Sequence, residues 1–201
     1  MTEYTNEIDS PVDDVIYESI KPSSRKSFFL FAGAGSGKTR TLVNVLARFK
    51  EEFGQEYKLR NKRIAIITYT NAAADEITHR LEYSSIFNVS TIHSFCWELI
   101  KSFTPDIKNW IKSNLVVEIA ELEEQQSKSK DLNNKTSIGR TKKIESKNKR
   151  LLSLETIQKF IYNPNGDNLT KDSLNHTEVI SITADFIKSK DLFKQILINK
   201  Y

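Results

Sequence analysis

The sequence predicts an α/β fold, a parallel sheet layered with helices and carrying a mostly helical insertion. Three observations lead there. The apolar run Phe28-Phe29-Leu30-Phe31 opens into a glycine-rich loop and then into helix-compatible residues. Strand-like and helix-like stretches alternate from that point to about residue 103, the signature of a parallel sheet with helical crossovers. Beyond about 104 the pattern turns polar and helical, with no clear strand.

The elements follow in order. Ser10-Pro11-Val12-Asp13 combines a capping serine, a first-turn proline and an acid, and predicts a short helix over 11–20. The apolar run predicts a strand at 27–32, buried on both faces. Leu42, Val45, Leu46 and Phe49 share one helical face and predict a helix from the loop to about 53. Ile64–Ile67 reads as a second buried strand, 72–82 as helix and 88–92 as a third strand. Residues 93–103 read as helix, ending near Pro105. In the insertion, helical signals appear at 150–161, 175–188 and 191–199, broken at Asn163-Pro164-Asn165-Gly166-Asp167. The Lys- and Ser-rich stretch 127–148 reads as flexible or partly helical.

The loop AGAGSGKTR, Ala32 to Arg40, is built to hold phosphate. Gly33, Gly35 and Gly37 open backbone angles closed to other residues, so main-chain N–H groups can wrap an anion. A helix starting near Gly37 aims its positive end at that anion. Lys38 then reaches the β- and γ-phosphates, and the Thr39 hydroxyl serves as a ligand for Mg²⁺. The consensus first glycine is replaced by Ala32; Ala34 and Ser36 complete the loop.

Composition narrows the class. The 201 residues suit one domain, or one domain with a sizeable insertion. No apolar stretch approaches a membrane span, and the acidic N-terminus is unlike a secretory signal, so a cytoplasmic home with no membrane partner is expected. The single cysteine, Cys96, excludes an internal disulfide and a cysteine-based zinc site. Net charge is +4, unevenly spread. Residues 1–20 hold six acids and no base, whereas 128–150 hold nine Lys or Arg against Asp131 and Glu145. That basic stretch is either a nucleic-acid-facing region or a solvated lysine-rich loop.

Two further segments join the loop. TYTNAAADEITHRL, residues 68–81, follows the second strand, and STIHSFCWELI, residues 90–100, follows the third. With AGAGSGKTRTL they resemble motifs I, Ia and Ib of the UvrD/Rep-like superfamily 1 DNA helicases, in order, over residues 28–100. The resemblance implies a RecA-like ATP-binding domain over 1–103 and 191–201, with a helical insertion subdomain over 104–190. It implies ATP and Mg²⁺ as cofactors, held by Ala32, Gly33, Ala34, Gly35, Ser36, Gly37, Lys38, Thr39 and Arg40, with Lys38 and Thr39 catalytic and Arg40 beside the base. It further implies a single-stranded DNA path, or a single-strand/duplex junction, along Tyr69, Thr70, Asn71, Thr91, His93 and Phe95. A nuclease or a defence or repair protein is an implied partner.

The residue chemistry fits such a path. An aromatic at a strand end stacks on any unpaired base, and hydroxyl, amide and imidazole donors hold phosphates without reading sequence. The plain alternatives are Tyr69 at the core edge, His93 as a helix-start residue and Phe95 in the core. Ala72 stands where the family has a lysine, and the family's upstream adenine-reading glutamine has no counterpart before Gln55. Asp75-Glu76 reads as a solvated helix face, not a Mg²⁺-binding pair. The segment 191–201 resembles the helix that leads into the family's Walker B strand. The expectation is therefore an N-terminal helicase fragment, truncated before that strand and not competent alone for hydrolysis. The alternatives are a self-contained P-loop phosphotransferase and a non-catalytic nucleic-acid-binding module.

Overall fold

The computed structural model describes residues 11–31, 33, 35–129, 131–164 and 171–201. The protein is mixed α/β and mostly helical, with two small parallel sheets. It divides into two compact units, one running up to Ile92 and resuming at Gln195–Tyr201, the other His93–Lys194.

In the first unit α1 (Pro11–Ile20) and α2 (Lys38–Leu59) pack together, followed by β1 (Ile64–Thr68), α3 (Asn71–Arg80) and β2 (Phe87–Thr91). Its core gathers Tyr17 of α1, Val45, Leu46, Phe49 and Tyr57 of α2, Ile66 of β1, Ile77 of α3 and Phe87 of β2. Tyr17 is fully buried; its hydroxyl donates to the Glu52 carboxylate, and the Arg48 guanidinium lies 3.9 Å from its ring centroid. Burial, reinforced by Glu52, pushes the Tyr17 phenol up to about 12. β1 and β2 pair in parallel, in register from Ile64↔Phe87 to Thr68↔Thr91. The Arg63 N–H donates to the Lys200 carbonyl at 2.8 Å, and Asn88 Nδ2 to the Tyr201 hydroxyl at 2.7 Å.

The second unit holds most of α4 (Ile92–Ile100), then α5 (Thr104–Ser127), α6 (Lys135–Ser153), β3 (Ile161–Tyr162), β4 (Ser173–Leu174), α7 (His176–Ser189) and the start of α8 (Asp191–Lys200). Ile107, Ile111, Leu115 and Ile119 recur every four residues and bury one face of α5. Phe103, Phe186 and Phe193 meet edge-on, with centroids 5.3–6.2 Å apart. Lys190 reaches Asp106 at 2.6 Å.

Four expectations need correction. The strand at 27–32 is not formed among the described residues: 25–31 has no regular structure, and Phe29 and Phe31 are 78% and 87% exposed. A strand needs a hydrogen-bonded neighbour as well as apolar side chains, and β1 pairs only with β2 among the described residues. Residue 32 lies outside them. The stretch 127–148 is not flexible through most of its length, because α6 begins at Lys135. The Asn134 side chain accepts from the Ser137 N–H at 2.8 Å and caps it, and Lys147 pairs with Glu118 of α5. The helix expected over 150–161 stops at Ser153, and the two-residue strands β3 and β4 pair in a region where no strand was expected. Pro105 sits in the first turn of α5, so it opens a helix instead of merely closing one.

Candidate nucleotide loop and strand-end site

The glycine-rich loop is exposed along its described residues, at the head of α2. Gly35 and Gly37 have φ of +75° and +83°, the left-handed region that a side chain disfavours. Gly37 occupies the N-cap of α2 and offers no side chain to it. The Ser36 hydroxyl donates to the Gly33 carbonyl at 2.8 Å. Lys38 turns its ammonium onto that same carbonyl and lies 3.5 Å from Ser36 Oγ. Thr39 and Arg40 are exposed; Ala32 and Ala34 lie outside the described residues.

These residues fit a nucleoside polyphosphate. A cation, a side-chain-free helix N-terminus and an open loop converge where an anion would replace the Gly33 carbonyl as the partner of Lys38. Thr39, next to Lys38, supplies the one hydroxyl of a Mg²⁺ site that the phosphates themselves would complete. When bound, the metal would neutralise phosphate charge.

The second set lies at the carboxyl ends of the parallel strands, the edge at which open α/β sheets bind ligands. The Thr68↔Thr91 register brings Tyr69, Thr70 and Asn71 to the same end as Thr91. Tyr69 is 97% exposed, so it is not a core-edge residue. Thr70 caps α3, its hydroxyl oxygen accepting from the Ala73 N–H at 3.2 Å, while the Thr68 hydroxyl donates to the Thr70 carbonyl at 3.0 Å. Asn71 is exposed in the first turn, and so is Ala72. Asp75 and Glu76 lie on the solvent face of α3, with Glu76 paired to Arg80 at 2.7 Å.

His93 and Phe95 are half-buried on α4. The His93 ring stands 4.1 Å from that of His176, the first residue of α7. Tyr162 hydrogen-bonds His176 Nδ1 at 2.5 Å, and Trp97 lies 6.4 Å from the Tyr162 ring. Desolvation, then the neighbouring His176, holds the His93 imidazole below its usual range, and burial raises the Tyr162 phenol. Sequence reading missed His176 and Tyr162 beside His93. No motif marks them, and only the folding of β3 and α7 brings them there. Cys96 is buried, its thiol pushed up by burial. Among the described residues no group of three or more His, Cys, Asp or Glu forms a metal site, and no helix is long and apolar enough to cross a membrane.

Known proteins supply the comparison. The chain is 25% identical to the Gabija protein GajB of Bacillus cereus (strain HuB5-5), aligned over 94% of this chain and 36% of that protein. It is 30% identical to the large ATP-dependent helicase/nuclease polypeptide, the A component, of Bacillus pumilus (strain SAFR-032), over 42% of this chain and 8% of that polypeptide. The corresponding polypeptide of Bacillus cytotoxicus is 31% identical over 39% of this chain and 8% of its own length. The chain thus spans about a third or less of these relatives. No solved structure gives a significant match. Residues 16–199 match the UvrD/REP helicase N-terminal domain, from within α1 to within α8. With the phosphate loop and the strand-end residues inside that span, the chain belongs to the UvrD/REP helicase N-terminal domain family.

Proposed function

We propose that this chain is the ATP- and single-stranded-DNA-binding part of an ATP-dependent DNA helicase or translocase, on a RecA-like phosphate-loop framework. The observation that carries the reading is the exposed Gly33–Thr39 loop at the head of α2, within a chain of this family. Residues 1–103 and 191–201 form the ATP-binding domain, and 104–190 the inserted subdomain. Gly33 to Thr39 hold the phosphates, with Ala32 and Ala34 in the loop, and Arg40 lies beside the base. Thr39 holds Mg²⁺. Tyr69, Thr70, Asn71, Thr91, His93 and Phe95 face the single strand. Tyr69 stacks on bases, while Asn71 and His93 donate to phosphates. The longer relatives support hydrolysis and unwinding as activities of a larger protein, in the cytoplasm and with a nuclease or defence partner.

The strand-end assignment is tested with a fluorescent oligo-dT titrated against the chain. Tyr69→Ala should weaken binding roughly five- to a hundredfold, the worth of one base stack, and leave the slope against salt nearly unchanged. Normal binding by that variant would remove Tyr69 from the path.

A further inference from the structure

α6 is a strongly basic helix with a defined orientation. It carries Lys135, Arg140, Lys142, Lys143, Lys147, Lys149 and Arg150 against one acid, Glu145. The inward members are engaged within the unit. Lys147 pairs with Glu118 of α5, Arg150 with Glu178 of α7 and with the Ser173 carbonyl at 3.3 Å, and Arg140 donates to the Gln126 side chain at 2.8 Å. Ser137 and Leu154 are buried, and Ile144 and Leu151 are half-buried on that inner side.

The outer members differ. Lys135, Lys142 and Lys149 are all exposed, as is Lys143. Seven-residue spacing drifts by about 20° per step, so the first three form one stripe along the solvent face. Successive lysines are separated by about 10.5 Å and the outer two by about 21 Å, at 1.5 Å of rise per residue. Beside α6 runs a groove of about 600 Å³ with Lys143 and Lys171 among its lining residues and Glu118 and Glu121 of α5 opposing them. The stripe lies apart from those acids.

We propose that the outer face of α6 is a docking surface for the phosphodiester backbone of duplex DNA, separate from the single-strand residues at the sheet ends. The inference rests on the helicase reading and names the form of substrate that the inserted region takes. α6 contains no aromatic residue, so its face offers nothing on which unpaired bases stack and does not suit a flexible single strand. It offers fixed cations along a straight rod, which suits a stiff backbone with one charge per about 1.7 Å of axis. Such contacts position a duplex without reading its sequence. Glu145 is the one acid of α6, exposed between Lys142 and Lys149 in sequence, and it opposes the field.

The test uses the whole 201-residue chain, a fluorescein-labelled blunt duplex and an oligo-dT, with anisotropy read at several KCl concentrations. The triple variant Lys135→Gln, Lys142→Gln, Lys149→Gln should flatten the duplex log–log slope by up to about 2.7, at roughly 0.9 per phosphate contact. It should bind duplex at least tenfold more weakly at low salt, bind oligo-dT as the parent does and keep its helicity by circular dichroism. Glu145→Gln should tighten duplex binding. The parent duplex slope retained by the triple variant, an equal loss for both probes, or no duplex binding by the parent would each overturn the proposal. Tyr69→Ala in the same titrations reports on the single-strand reading separately, because its failure would leave the lysine result standing.

Discussion

Lys38 holds the Gly33 carbonyl with the same ammonium that a polyphosphate would engage, so the loop is organised around its own main chain. Exchange of a neutral carbonyl for a multiply charged anion favours the anion. His93 is tuned in the opposite sense, since desolvation and His176 both disfavour its charged form. It therefore meets a phosphate at neutral pH as a neutral N–H donor and adds little to the salt dependence of binding. The imidazole should titrate below the ordinary value of about 6.5 in a two-dimensional NMR pH series, and His176→Ala should raise it. An unfolded His93 takes up its proton first as pH falls. Stability should therefore decline from about 6.5 downward until the folded imidazole also protonates. A His93 titration at or above the ordinary value would show that the ring pair does not persist in solution. Tyr69 was legible from the motif because a strand-end aromatic has a chemical reason to be exposed. Its partners in role, His176 and Tyr162 beside His93, were not, because 83 residues separate the two histidines in sequence.

At the scale of elements, local signals succeeded where the chain stabilises itself locally. α1 begins at Pro11 as the proline and following acids require, and α7 begins where Asn175 and Glu178 form a reciprocal capping box at 2.9 and 3.0 Å. Asn175→Ala should cost about 1 kcal/mol, measured as a shift in urea midpoint at constant slope. No shift would mean that the start of α7 is fixed by packing alone. Reading failed where stability is not local. Residues 135–153 are polar, with weak amphipathic patterning, and α6 is fastened by Lys147 to Glu118 and Arg150 to Glu178, pairs 29 and 28 residues apart. β3 and β4 are two residues each, too short for alternation to show. Phe28–Phe31 failed in the other direction. Its composition suits a central strand, yet a strand is a property of a pair, and no described neighbour bonds to it.

At the scale of the whole molecule, the parallel order of β1 and β2 and the family were legible because three motifs fall in sequence within about seventy residues. The division of the chain at Ile92/His93 and Lys194/Gln195 follows the points at which α/β alternation gives way to helices and returns. The central claim is that Gly33 to Thr39 bind a Mg-nucleotide, and fluorescence titration of the 201-residue chain with an N-methylanthraniloyl ATP tests it most directly. Saturable, Mg²⁺-dependent binding is expected, displaced by unlabelled ATP. Lys38→Ala should weaken it at least tenfold, and Thr39→Ala should remove most of the Mg²⁺ dependence. Equal affinity in the parent and Lys38→Ala, or no saturable binding by the parent, would contradict the account.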